Sequence, residues 1–161
     1  GPLCREQMRD CKFTFTHFVP HEDTAHRGLS QLGPASRRAC MGAVLTAGTT
    51  ILEPMLAIEV RVPTDLVGNV ATVLSGKRGK VLDMQQKGAS SIIIGEIPAS
   101  ETFTLSDDLR GQTQGRATWN TSFKKWSEVP KSMFATAIAD IRKRKGLAPE
   151  PPGISEFIDK E

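Results

Sequence analysis

Apolar and polar positions alternate over residues 12–17, with Phe13 and Phe15 set against Lys12, Thr14 and Thr16. Period two with one apolar face predicts a strand. The alternation then stops. Residues 21–28, His-Glu-Asp-Thr-Ala-His-Arg-Gly, contain no apolar anchor apart from Ala25 and fit neither a helical nor a strand period. They read as an exposed polar loop, the kind of segment on which function concentrates. A helical period follows, opened by Pro34 with Gly33 as its cap. Ala35, Ala39, Cys40, Ala43, Val44 and Ala47 form its apolar face, Arg37 and Arg38 fall opposite, and Gly48 ends it. One strand, one loop and one helix cannot enclose a core, because each needs a second layer over its apolar face. Residues 1–53 therefore read as the second half of a domain whose first half lies elsewhere, and an exposed alanine face is the expected symptom.

Residues 54–131 carry a fuller pattern. Leu56, Ile58, Val60 and Val62 alternate with Ala57, Glu59 and Arg61 as a strand. Thr64 is placed to cap a helix bearing Leu66, Val67, Val70, Val73 and Leu74, which Gly76 stops. Val81–Gln86 and Ile92–Ile97 read as two strands hinged at Gly88. A short polar helix starts at Thr104 or Ser106 and ends at Gly115. A last strand over 116–126 puts Ala117, Trp119, Thr121 and Phe123 on one face. The order β-α-β-β-α-β is the ferredoxin-like split βαβ arrangement, so the chain as a whole is α+β. Residues 132–145 predict a further helix with Phe134, Ile138 and Ile141 as its stripe and Gly146 at the residue beyond its end. Residues 132–161 are expected to pack back on the first domain. Ile154, Phe157 and Ile158 are expected to dock as one final turn.

Composition adds limits. At 39% hydrophobic and 24% charged the chain looks like an ordinary globular protein. Its formal charge is only +3, so any nucleic-acid role must rest on local patches. No apolar run approaches the roughly 20 residues of a membrane span, and residues 1–12 lack the pattern of a secretory leader. The three cysteines, Cys4, Cys11 and Cys40, are odd in number and lack C-x-x-C spacing. They read as free thiols in a reducing, cytoplasmic setting.

The candidate chemistry lies in short stretches. His21, Glu22, Asp23 and His26 are all metal-ligand types, but the histidines are five apart, not the four that share a helix face in zinc sites. Glu22 and Asp23 are adjacent and point apart on extended chain, which does not suit an acid–base pair. The bland reading is a solvated turn closed by Gly28. Asp108-Leu109-Arg110-Gly111 fits the D-x-x-G of GTPase switch regions, yet the sequence has no G-x-x-x-x-G-K-[ST] phosphate loop. An acidic first helical turn accounts for it. Gly76-Lys77-Arg78-Gly79-Lys80 is a basic turn that reads either as a solvated loop or as a phosphate-contacting patch, with Lys77, Arg78 and Lys80 as possible rRNA contacts. Arg142, Lys143, Arg144 and Lys145 read first as charges at a helix end.

Gly1-Pro2-Leu3 with Arg5-Glu6, then His21-Glu22-Asp23, His26-Arg27-Gly28, Gln31, Pro34 and Arg37-Arg38-Ala39 run in an order that resembles the fourth domain of the elongation factor two family. This is the family of archaeal and eukaryotic ribosomal translocases. Leu52-Glu53-Pro54 resembles the passage into its fifth domain. Lys77-Arg78-Gly79, Asp108-Leu109-Arg110, Gly115-Arg116-Ala117 and Arg142-Lys143-Arg144-Lys145-Gly146-Leu147 resemble the fifth domain and C-terminal helix. Leu109 to Ala117 is also similar to a pattern in bacterial elongation factor G. Trp119 and the proline-bearing tail after Leu147 resemble the archaeal branch. The chain departs from the family pattern at Pro20, Thr24-Ala25 and Leu29-Ser30.

The resemblance implies that His26 is the histidine converted to diphthamide by addition at the imidazole C2 carbon. The addition places an amide and a quaternary ammonium at the loop tip. It implies that His21, Asp23, Arg27 and Gly28 contact RNA or shape the tip. It implies a tip that enters the decoding site and helps move tRNA and mRNA during GTP-dependent translocation. The implied partners are the ribosome (decoding site, tRNA–mRNA, rRNA near the stalk base), the diphthamide biosynthesis enzymes and ADP-ribosylating toxins. No membrane partner is implied, and a monomer is expected. GTP and magnesium would belong to a G domain of the parent protein, so this chain is expected to be no enzyme and to hold no cofactor or metal. Two other readings stand beside this one. The first is a free-standing ribosome- or RNA-binding module without a GTPase. The second is a metal hydrolase at His21, Glu22, Asp23 and His26.

Overall fold

The computed structural model describes residues 1–158. In chain order the elements are α1 (Leu29–Thr46), β1 (Leu52–Pro63), α2 (Val67–Gly76), β2 (Lys80–Lys87), β3 (Ser90–Pro98), α3 (Leu105–Thr113), β4 (Thr118–Glu128) and α4 (Lys131–Arg144). They fall into two compact units: Ile51–Val129, and Gly1–Thr50 together with the segment from Pro130 onward.

The Ile51–Val129 unit is one four-stranded sheet in the order β2-β3-β1-β4, with every neighbouring pair antiparallel. This is the ferredoxin-like arrangement that the periodicity predicts, within an α+β chain. Ile58, Val60 and Val62 of β1 and Ile93 and Ile97 of β3 meet Val70 and Leu74 of α2 and Leu105 and Leu109 of α3 in one buried cluster. Gly95 on β3 lets β2 approach, since a Cβ there would lie 2.5 Å from the Lys80 carbonyl oxygen. Thr64 does not cap α2. Its hydroxyl lies 3.1 Å from that of Ser91 on β3, and a 3-10 turn at Thr64–Leu66 leads into the helix. On β4 the predicted inward face thins out. Ala117 and Trp119 pack on the core, whereas Phe123 is exposed and stacks at a tilt on Trp126, with ring centroids 5.8 Å apart. A register shift near Met55 leaves Lys124 as the extra residue between Phe123 and Lys125.

The other unit departs further from expectation. Residues 11–21 form no regular element, so the predicted strand at 12–17 is absent. All strands among the described residues belong to the sheet of the first unit. A segment without a neighbouring strand has no ladder to pair its backbone groups, and alternation alone does not supply one. Phe15 and Phe18 are accordingly exposed. Helix α1 begins at Leu29, five residues before Pro34, with Gly28 at the N-cap. The first turn is anchored instead by the Gly28 carbonyl, which accepts from the N–H of Gln31 and of Leu32, each at 3.0 Å. Ala35, Ala39, Ala43 and Ala47 are exposed. The single buried residue of α1 is Gly42, where a Cβ would stand 3.5 Å from Phe157 Cβ. In the tail a 3-10 turn spans Ile154–Glu156. Of its expected docking residues Phe157 is half-buried while Ile154 and Ile158 are exposed.

Arg142, expected as a helix-end surface charge, is buried. It donates through Nη1 to the Leu3 carbonyl at 2.6 Å and through Nε to the Ala148 carbonyl. Lys145 reaches the carbonyls of Cys4 and Arg5, each at 3.1 Å, and the Glu6 carboxylate at 2.7 Å. The basic end of α4 therefore staples the start of the chain. Gly146 follows with φ +63°, as its place beyond the helix end requires.

Candidate functional site

The polar stretch 21–28 folds on itself. Asp23 caps a 3-10 turn at Thr24–Arg27, with Oδ1 accepting from the Ala25 N–H at 2.9 Å. The Asp23 N–H in turn donates to His21 Nδ1 at 3.1 Å. Arg27 closes the loop from the far side, donating through Nε to the His21 carbonyl at 2.6 Å and through Nη2 to the Glu22 carbonyl at 2.9 Å. Gly28 ends the turn and serves as N-cap of α1. The stretch predicted as loop is thus a short capped turn, built from the Asx-type bonding that favours aspartate at such positions.

His26 sits on this turn with its side chain 52% exposed. Its ring lies 4.7 Å from that of His21, tilted by 57°. Nε2 faces Asp23 Oδ2 at 3.8 Å, and Nδ1 lies 3.2 Å from the Gln31 side-chain nitrogen. The structure therefore brings together His21, Asp23, His26, Arg27 and Gly28, and adds Gln31 from the first turn of α1. Among the described residues no three His, Cys, Asp or Glu side chains converge as a metal would need, so the metal-hydrolase alternative lacks a ligand set. The turn instead offers two imidazole edges and the remaining N–H groups of Arg27 to an outside partner. Such groups suit phosphates, 2′-hydroxyls and base edges.

The basic turn behaves differently. Arg78, at φ +56°, gives both Nη atoms to the Glu53 carboxylate at 2.8 and 3.0 Å, Nε to Glu101 at 2.8 Å and a further bond to Ser100 at 3.1 Å. The bonds to Glu53 and Glu101 hold its guanidinium well above the usual range. Lys77 lies 2.6 Å from both Asp108 Oδ2 and Thr104 Oγ1, which lowers the Asp108 carboxyl. These partners make Arg78 and Lys77 internal ties between the helix–strand turn and residues 100–108. Lys80 stands exposed at the start of β2. The acidic partners Glu53 and Glu101 lie about 25 positions on either side of Arg78, beyond any local spacing rule.

Two family models match the chain in sequence order: elongation factor G, domain IV, over residues 1–48, and elongation factor G C-terminus over residues 50–147. The chain belongs to the elongation factor G and elongation factor 2 family. It is 79% identical over its whole length to elongation factor 2 of Cenarchaeum symbiosum. It is 48% identical to that of Metallosphaera sedula and 46% identical to that of Desulfurococcus mucosus, each over 98% of the chain. It spans 22% of the length of these curated relatives and matches their C-terminal domains. A crystal structure of a Thermus thermophilus protein, 30% identical, superposes on 58% of the chain and 14% of its own length with a TM-score of 0.52. Within the elongation factor fold, the first model ends at residue 48, so it takes in the capped turn and all of α1.

Proposed function

We propose that this chain is the C-terminal part of a ribosomal translocase and that the 21–28 turn is the tip that enters the decoding site. The observation that carries this reading is the exposed His26. Neighbouring side chains order it, no core buries it, and it lies within a segment matched by the domain IV model. On this reading His26 is the residue converted to diphthamide, the new side chain replacing the hydrogen at C2. The modification substitutes a permanent positive charge for a titratable ring in a phosphate-rich cleft, where such charge binds well. His21, Asp23, Arg27 and Gly28 shape and present that tip. The tip helps move tRNA and mRNA while other surfaces meet rRNA near the stalk base. Lys80 is better placed for such contact than Lys77 or Arg78, whose side chains already have partners. Diphthamide enzymes and ADP-ribosylating toxins would recognise the same turn.

GTP and magnesium do not fit the residues present, because the sequence contains no phosphate loop. Their chemistry belongs to a G domain of the parent protein. The test is mass spectrometry of the His26 peptide from a host that makes diphthamide. An added mass localised to His26 is expected, together with its absence from material made in bacteria. An unmodified His26 in native protein counts against the assignment.

A further inference from the structure

We propose that Gln31 is a positioning residue that, with Asp23, holds the His26 imidazole in its Nε2–H tautomer and fixes the ring's orientation at the loop tip. Gln31 is the third residue of α1. A glutamine there commonly reaches back to the N-cap backbone N–H, as one half of a capping box. The N-cap here is Gly28, which has no side chain to form the other half, and Gln31 turns away to the His26 ring, 3.2 Å from Nδ1. The sense of that bond follows from its donor, because a side-chain amide nitrogen gives N–H and accepts nothing. Asp23 Oδ2 faces Nε2 at 3.8 Å, beyond a direct hydrogen bond, and its negative charge favours the proton on that nitrogen. Nδ1 is then a bare acceptor and takes the Gln31 amide N–H. The mutual arrangement is the familiar one in which a bond at one ring nitrogen sets the state of the other.

The neighbours that hold the ring are themselves held. Asp23 is fixed by the Ala25 N–H, its own N–H is fixed on His21 Nδ1, and the His21 ring lies against His26. Arg27 ties down the backbone of His21 and Glu22 from behind. Gln31 is set by the first turn of α1, where its N–H bonds the Gly28 carbonyl. Both nitrogens of His26 therefore have assigned neighbours, and the carbon between them, C2, keeps one defined direction. The bearing on modification rests on the reading of His26 given above. An enzyme that adds a group at C2 meets a ring already oriented, so disordering the ring should slow the addition.

The experiment uses the whole chain, 15N-labelled, with long-range histidine 1H–15N spectra that report which nitrogen carries the proton. The unmodified wild type should show His26 predominantly as Nε2–H. Gln31→Ala should shift the tautomer ratio by about fivefold, the ratio one ordinary hydrogen bond sets. Gln31→Glu, which puts an acceptor opposite Nδ1, should move the proton toward Nδ1. Gln31→Asn tests whether a shorter amide restores part of the wild-type spectrum, which a merely structural role in α1 would not predict. The same variants are then expressed in a diphthamide-making host, and the modified fraction of His26 is read by mass. Gln31→Ala is expected to lower that fraction. A tautomer ratio unmoved by Gln31→Ala and Gln31→Glu overturns the proposal, whatever the mass shows. Spectra that respond, with no modification even in wild type, uphold Gln31's hold on the ring and sink the diphthamide reading alone.

Discussion

Arg78 takes a left-handed backbone conformation that non-glycine residues adopt reluctantly, with φ +56°. The geometry is kept because the side chain is tied on three sides by Glu53, Glu101 and Ser100. Glu53 is only 14% exposed, so removing the guanidinium strands a largely buried carboxylate. Arg78→Ala should lower stability by about 2–4 kcal/mol in urea denaturation. Arg78→Lys should recover less than half, because an ammonium cannot form the fork. A loss below about 0.5 kcal/mol, the range of ordinary surface changes, would show the cluster to be ornamental. Glu96 gives a pH signature at the same scale. It is buried on β3 with the Lys124 and Lys125 ammonium groups at 3.2 and 3.6 Å. The Lys124 ammonium beside it holds its carboxyl below the usual glutamate range. A carboxyl lowered in the folded state contributes stability above its unfolded value, about pH 4.3, and loses that contribution as pH falls through the lower folded value. Stability should therefore drop as pH falls below about 4.3. The Lys124→Gln/Lys125→Gln double variant should show a shallower drop in urea midpoints across that range. An unchanged acid slope would assign the loss to other groups, Asp108 first among them.

Elements differed in how far the chain alone disclosed them. β1 is legible because Leu56, Ile58, Val60 and Val62 alternate along it, and β3 because Ile92, Ile93, Ile94 and Ile97 make a short β-branched run, and the two pair with each other within Ile51–Val129. The segment 12–17 has the same alternation, but alternation reports a face that wants cover and says nothing about whether a strand lies beside it. Pro34 resembles a first-position proline, whereas the first turn of α1 is anchored by the backbone of Gly28, which has no side-chain signature. The turn at Thr24–Arg27 and the role of Gln31 depend on which way short polar side chains rotate, which no periodicity encodes. Close approaches leave the faintest trace, since a glycine gives no hint of what lies over it. Gly42 and Gly95 should behave in opposite ways for that reason. Gly42→Ala places a Cβ at ordinary contact distance from Phe157, 3.5 Å, and gains helix propensity, so stability should rise by about 0.5–1 kcal/mol. Gly95→Ala would set a Cβ 2.5 Å from the Lys80 carbonyl oxygen and should lower stability by about 1–3 kcal/mol, the usual range for overpacking. Denaturant midpoints of both variants check this, and a destabilised Gly42→Ala would mean the tail sits tighter on α1 than the contact distance implies.

At the scale of the whole molecule the two units are unequal in what each can hold alone. Ile51–Val129 contains its entire sheet and buried cluster. Its two ends meet, because the Val129 N–H donates to the Ile51 carbonyl at 3.0 Å and extends the β1–β4 pairing by one bond. The Arg78–Glu53–Glu101 cluster also lies wholly inside it. The other unit presents exposed alanines along α1 and exposed aromatics at Phe15 and Phe18, and its order leans on the Arg142 and Lys145 staples between distant parts of the sequence. A domain needs its own core to fold independently, and by that criterion residues 51–129 qualify. Expressed alone, this segment should give dispersed NMR spectra and one cooperative thermal transition, as expected of a small two-state domain. Far-UV signal without dispersed side-chain resonances, accompanied by dye binding, would mark a molten state. That outcome would mean that the sheet's packing depends on residues outside 51–129, and the Arg78 and Gly95 effects argued above would then have to be measured on the longer chain only.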